Sequence, residues 1–265
     1  MDFDQYKTIA FARRGKILYV TFNQPDKLNS FSGLAHTELS WVWSDVARDP
    51  DSEIVVVTGA GRAFSAGGNI DHMQHLRDNP GDWFEVIREA RRIVMDLLDC
   101  DKPIVAKVNG DAIGLGSTIT TCCDMVFAAD HARFGDPHNN VALISGDGGQ
   151  ITWPAHIGFA RAKHYLLTGE KLSAQEAERI GLINGFMPAD ELDAYVDDYA
   201  DKLAALPTRS LRLSKSTINI PLRQWAASMM DAGMAYEGMA ATLTDDHQEA
   251  INAFRDKRKP EFKGT

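Results

Sequence analysis

Two glycine-containing turns are the first residues in this chain with a spacing that could do chemistry. One runs Arg62-Ala63-Phe64-Ser65-Ala66-Gly67-Gly68-Asn69-Ile70, the other Val108-Asn109-Gly110-Asp111-Ala112-Ile113-Gly114-Leu115-Gly116-Ser117. Glycine lets backbone approach a ligand closely because no Cβ stands in the way. Two such turns can aim two peptide N–H groups at one oxygen, forming an oxyanion hole for an enolate or a tetrahedral oxyanion. His72 and His75 follow the first turn at a spacing that could ligate a metal on a helix. The spacing places no third ligand, so no metal site is expected. Met73, Trp83 and Trp153 are candidates to line an apolar pocket or to pack in the core.

The elements that must hold these turns can be read from the apolar pattern. Ile17–Phe22 reads as a strand stopped by Asn23-Gln24-Pro25-Asp26. The runs 54–58 and 103–108 read as buried strands, one leading into each glycine turn. Residues 33–48 and 81–99 carry helical stripes, and a helix is expected to start directly at the second turn, from about Leu115 to Cys122. This alternation of strand, glycine turn and helix predicts an α/β protein built from parallel βαβ units. Beyond residue 150 the segments 159–167, 173–180, 190–206 and 207–217 read as helical, with a last helix from about 222 to 257. The expected division is a core over 1–200 and a helical region over 201–265.

Several motifs then match one family in order and spacing. Phe64-Ser65-Ala66-Gly67-Gly68 and Gly110-Asp111-Ala112-Ile113-Gly114-Leu115-Gly116 are followed by Cys123-Asp124-Met125-Val126-Phe127-Ala128-Ala129 and Ala132-Arg133-Phe134-Gly135. Leu167-Thr168-Gly169-Glu170, Ala174-Gln175-Glu176-Ala177, Gly181-Leu182-Ile183-Asn184 and the tail from Phe254 to Phe262 continue the match. Together they resemble the crotonase (enoyl-CoA hydratase/isomerase) superfamily over nearly the whole chain. The resemblance implies a crotonase-like spiral of ββα units with C-terminal helices that mediate a homotrimer, often a dimer of trimers. It places the oxyanion-hole amides at Gly68 and Leu115. Asn69 stands where the family often has Asp.

The acid/base positions depart from the hydratase pattern. Where those enzymes carry their two glutamates, this chain has Thr118 and His138, the latter closing Phe134-Gly135-Asp136-Pro137-His138. What remains is His138 with Asp147, in the turn Ser145-Gly146-Asp147-Gly148-Gly149. A histidine near its ordinary pKa of ~6.5 gives or takes a proton at neutral pH. A nearby carboxylate can orient the ring or hold it charged, and Asp136 could take either role. This pair is similar to the superfamily branch that hydrolyses a C–C bond of cyclic β-diketones without CoA. The tail favours CoA: Phe254, Lys257, Arg258, Pro260 and Phe262 keep the family's C-terminal pattern, and Lys27 and Leu28 match its early CoA-contact loop, with Ala66 beside the first amide. The resemblance thus implies an acyl-CoA substrate and no tightly bound cofactor. A non-catalytic CoA- or RNA-binding homologue is the remaining alternative.

Bulk properties narrow the classes. The 265 residues, 44% hydrophobic, suffice for one substantial core. A net charge of −9 offers no general basic field for nucleic acid or an anionic membrane. Three cysteines, Cys100, Cys122 and Cys123, do not make a disulfide framework. The acidic stretch Met1–Tyr6 has no apolar leader core, and no run approaches ~20 apolar residues, so a cytoplasmic protein is expected.

Overall fold

The computed structural model describes residues 3–265; Met1 and Asp2, part of the stretch read as lacking a leader, lie outside the described residues. Strand β1 (Ile9–Arg14) pairs antiparallel with β2 (Ile17–Phe22), and helix α1 (Leu34–Arg48) follows. A strand–strand–helix unit then recurs. It comprises β3 (Ile54–Gly59), β4 (Ala63–Ser65) and α2 (Ile70–Asp78), with α3 (Trp83–Asp99) returning the chain. Next come β5 (Ile104–Val108), β6 (Asp111–Ile113) and α4 (Leu115–Cys122). The third unit is β7 (Met125–Ala129), β8 (Arg133–Gly135), a 3-10 turn over His138–Val141 and α5 (Gly149–Thr168), which breaks at Gly158. Then follow β9 (Leu172–Ser173), α6 (Ala174–Arg179), β10 (Gly185–Met187), α7 (Ala189–Ala204), α8 (Thr208–Ile218), α9 (Ile220–Leu243) and α10 (Asp245–Arg255).

The two strands of each unit go to different sheets. The first forms a six-stranded sheet in the order β1-β2-β3-β5-β7-β10, parallel except for the β1–β2 hairpin. The second forms a smaller sheet, β4-β6-β8-β9, in which β4, β6 and β8 run parallel. This is the ββα spiral that the motif resemblance implies. The continuous apolar run of β3 suits a strand buried on both faces. Val55 and Val57 join the main core with Trp43, Phe22 and Phe64, while Ile54 and Val56 face Leu192 and Val196 of α7.

The structure corrects one sequence expectation. The last helix is not continuous from 222 to 257; it is interrupted at Thr244, where the backbone is extended and the side-chain Oγ1 caps α10 by accepting from His247 N at 3.4 Å. The strands of the smaller sheet, implied by the ββα resemblance, do not register in the apolar pattern, since three residues carry too little periodicity. Buried polar ties dock the C-terminal helices. Lys215 Nζ of α8 meets Asp124 Oδ2 at 2.7 Å and donates to the Lys102 carbonyl at 2.8 Å. Asn219 Nδ2 donates to the Leu98 carbonyl at 3.1 Å. Among the described residues, no helix is long and apolar enough to cross a membrane.

Candidate active site

Parallel pairing of β4, β6 and β8 decides where the chemistry lies. Neighbouring parallel strands end side by side, so the segments leaving them come together: Gly67-Gly68 after β4, Gly114-Leu115 after β6, and Asp136-Pro137-His138 after β8. The two glycine turns touch. A Cβ on Gly67 would sit 2.5 Å from the Ile113 carbonyl oxygen, and Gly67 has φ +81°, so the position suits only glycine. A Cβ on Gly114 (φ +55°) would lie 3.8 Å from Gly67 Cα and 3.6 Å from His138 Cε1. Leu115 is the first residue of α4, where an N–H has no intrahelical acceptor and the helix dipole favours negative charge. Gly68 and Leu115 line one cavity of about 80 Å³, and His138 and Asp147 line it too.

His138 sits between two carboxylates. Its Nδ1 is hydrogen-bonded to Asp136 Oδ1, and its Nε2 lies 3.7 Å from Asp147 Oδ2. Asp136 is thus the tighter partner. Thr118, standing where hydratases carry a glutamate, donates from Oγ1 to Asp147 Oδ1 at 3.3 Å. Burial disfavours a charged imidazole, but the Asp136 and Asp147 carboxylates outweigh it and hold the His138 pKa well above the ordinary value. Burial pushes Asp147 up, the His138 charge opposes the shift and Asp136 adds to it. The ligand atoms of Asp136, His138 and Asp147 lie within 4.8 Å of one another, a spacing a metal ion could use. The histidine itself already bridges the two acids.

Sequence reasoning missed a fourth member, Glu237 of α9. It lines the cavity, is 7% exposed, and its Oε2 accepts from Gly146 N at 3.0 Å, steadying the turn that carries Asp147. Burial, with the nearby Asp147 and Asp136 charges, raises its pKa to about 8 against the pull of His138. A signal existed in the sequence: Glu237 falls on the buried stripe Ala226, Met230, Met234 and Ala241 of its helix. A carboxylate on an apolar stripe is rarely buried without a task.

The other expected residues distribute as follows. Asn69 caps α2, its Oδ1 accepting from Asp71 N at 2.9 Å and His72 N at 3.2 Å. Met73 and Trp83 line the cavity, whereas Trp153 is fully buried in the core. His75 pairs with Asp82 at 2.8 Å, and its ring stacks on His72. Lys27, Leu28, Ala66, Lys257, Arg258 and Phe262 lie outside the cavity wall. Ala66 N donates to the Leu28 carbonyl at 2.9 Å, joining the early loop to the first turn. Lys27, Lys257 and Phe262 are exposed, and Arg258 is paired with Glu249 at 2.5 Å. The three cysteines are buried and unbridged.

A spiral of ββα units with paired glycine turns opening on one cavity defines a class, and comparison with known proteins identifies it. The enoyl-CoA hydratase/isomerase family model matches residues 12–265. This chain belongs to that family, within the crotonase superfamily. A short-chain-enoyl-CoA hydratase of Clostridium acetobutylicum is 31% identical, with 97% of this chain and 98% of the relative covered. A crystal structure of an enoyl-CoA hydratase/isomerase from Mycobacterium paratuberculosis superposes with TM-score 0.90 at 35% identity, covering 94% of this chain and 99% of that one. A β-diketone hydrolase from the cyanobacterium Anabaena, solved with (S)-3-oxocyclohexyl acetic acid bound, superposes with TM-score 0.85 at 31% identity, covering 91% and 96%.

Proposed function

We propose that this enzyme acts on an acyl-CoA thioester through an enolate, with proton transfer by a histidine–carboxylate cluster in place of the two usual glutamates. One observation carries the reading: His138, Asp147 and Glu237 line the same cavity as Gly68 and Leu115. The two amides hold the thioester oxygen and stabilise it as negative charge develops; one such donor contributes ~2.7–4 kcal/mol to the transition state. Hydration and double-bond migration both move a proton at the carbon beside that carbonyl. The cluster offers both directions of transfer. Asp147, its basicity raised by burial, accepts a proton, with His138 as the adjacent cation. Glu237, at about 8, carries a proton at neutral pH and can give it. Lys27, Leu28, Ala66, Lys257, Arg258 and Phe262 would bind the CoA moiety, some of them from a neighbouring subunit. Exposed apolar side chains, among them Phe159, Leu213, Ile218 and Leu243, support a homotrimer or dimer of trimers.

A second reading is a CoA-independent hydrolase of cyclic β-diketones. It is favoured by the His138 ring flanked by Asp136 and Asp147, and by the likeness to the Anabaena enzyme. Incubation with a panel of enoyl-CoAs and cyclic 1,3-diketones, followed by mass spectrometry, decides between them. Consumption of an enoyl-CoA supports the first reading; ring-opened keto acids with no thioester turnover overturn it. In either case His138→Ala is expected to lower turnover by ~10²–10⁴-fold, the usual contribution of a positioned acid or base. Unchanged turnover removes His138 from the mechanism.

A further inference from the structure

A second polar cluster stands on the cavity wall and takes no part in the chemistry above. His36 of α1 lines the cavity, with its Nδ1 2.6 Å from Glu89 Oε2 of α3. His72 of α2 lines the cavity as well. We propose that His36, oriented by Glu89 and accompanied by His72, is a second recognition point that selects substrates carrying a neutral oxygen, hydroxyl or keto, away from the reacting carbonyl. The proposal deepens the acyl-CoA reading and rests on it only for the thioester part of the ligand.

The argument starts from cost. His36 and Glu89 are 9% and 6% exposed, and the wall around them includes Met73, Leu76, Val86 and Ala90. Burying an imidazole and a carboxylate there is expensive, and a site shaped for a plain alkyl chain would be better served by Leu and Met. The geometry is that of an oriented ring. Glu89 takes the hydrogen on Nδ1, and Nε2 has no hydrogen-bond partner among the described residues. When the ring is neutral, Nε2 accepts from a hydroxyl; when it is charged, it donates to a carbonyl.

Two further atoms on the same wall agree. Trp83 Nε1 is buried with no partner. His247 is 0% exposed; its Nδ1 donates to the Val141 carbonyl at 2.6 Å, which leaves Nε2 an acceptor without a partner. Both residues line the cavity, and buried polar atoms are rarely left unsatisfied, so the wall holds polar groups that a plain alkyl chain would not need. Charge selects a neutral ligand. Glu89 already balances His36, and Asp147 and Glu237 line the same space, so a carboxylate would add to a crowd of acids.

The test is calorimetry with saturated ligands, which do not turn over: hexanoyl-CoA, 5-hydroxyhexanoyl-CoA, 5-oxohexanoyl-CoA and glutaryl-CoA. The wild-type enzyme is expected to bind one of the two oxygenated neutral ligands about tenfold more tightly than hexanoyl-CoA, the worth of one good buried hydrogen bond. His36→Gln keeps part of that preference. The double variant His36→Leu/Glu89→Leu, which leaves no unpaired buried charge, abolishes it while retaining hexanoyl-CoA binding. The same preference in wild type and double variant overturns the proposal, as does tightest binding of glutaryl-CoA. If no thioester binds the wild type, the comparison is repeated by ligand-observed NMR with 3-hydroxycyclohexanone, cyclohexanone and methylcyclohexane. An oxygen preference that disappears with His36 then upholds the recognition point and rejects only the acyl-CoA reading. Absence of any preference in both series overturns the proposal.

Discussion

At the residue scale, the site depends on one cation held among acids. His138 is bracketed by Asp136 and Asp147, and Glu237 completes the group from a distant helix. Three carboxyl groups around one imidazole are not all ionised together without repulsion, and in the proposed mechanism the proton that relieves it is the one transferred. Glu237→Gln isolates that proton. The amide oxygen can still accept from Gly146 N, so the turn is kept while the titration is lost. If Glu237 works as a donor, activity falls as pH rises through about 8, where its carboxyl ionises. The variant is expected to lose ~10²-fold or more in turnover, and a pH–rate profile should show no alkaline limb near that value. A limb that survives intact assigns it to another group.

At the scale of elements, the proposed oxyanion hole is a contact between two turns, each brought in by its own strand. Gly67→Ala would push a methyl group onto the Ile113 carbonyl at a backbone angle that disfavours L-residues. Turnover is expected to fall ~10²–10³-fold, the loss that follows from misplacing one donor, with kcat affected more than KM. Gly81→Ala is the control, since nothing lies within 4 Å of a Cβ there, and steady-state kinetics should leave it unchanged. This scale also shows what the sequence made legible. The long stripe of 81–99 was readable because one-sided burial imposes a period, the runs 54–58 and 103–108 because burial on both faces leaves them continuously apolar, and the helix opening at Leu115 because a glycine turn precedes it. The pairing of β4, β6 and β8 was not, because strands of three residues carry no period and their partners are far away in the chain. Gly68, Leu115, His138 and Asp147 could be named from motif positions; the one cavity they share follows from that pairing. Asp136, two residues from His138, was open as a partner but not ranked above Asp147, and Glu237 stood out only as a carboxylate on an apolar stripe; that Glu237 meets the Asp147 turn and that His36 meets Glu89 are tertiary contacts no local pattern encodes.

At the scale of the whole molecule, the cluster links stability to pH. The unfolded His138 would titrate near ~6.5, and its folded value is higher. Its contribution to stability is therefore full below about 6.5 and is lost as pH rises through the folded value. Glu237, raised from 4.5 to about 8, binds its proton more tightly when folded; its cost is absent at low pH and grows between those two values. Both groups predict that stability declines from mildly acidic to alkaline pH. Urea unfolding measured from pH 5 to 9 should show that slope, and Glu237→Gln should flatten it; a slope identical in the variant would rule out Glu237 as its source. The position of Glu237 has a further consequence, for time rather than energy. The two glycine turns proposed as the oxyanion hole are complete by residue 115, but Glu237 of the same cavity waits on α9, docked against α3 through ties such as Asn219 to Leu98. On the proposed mechanism, a chain whose sheets have formed before α9 docks lacks that acid and is expected to be inactive until the helix arrives.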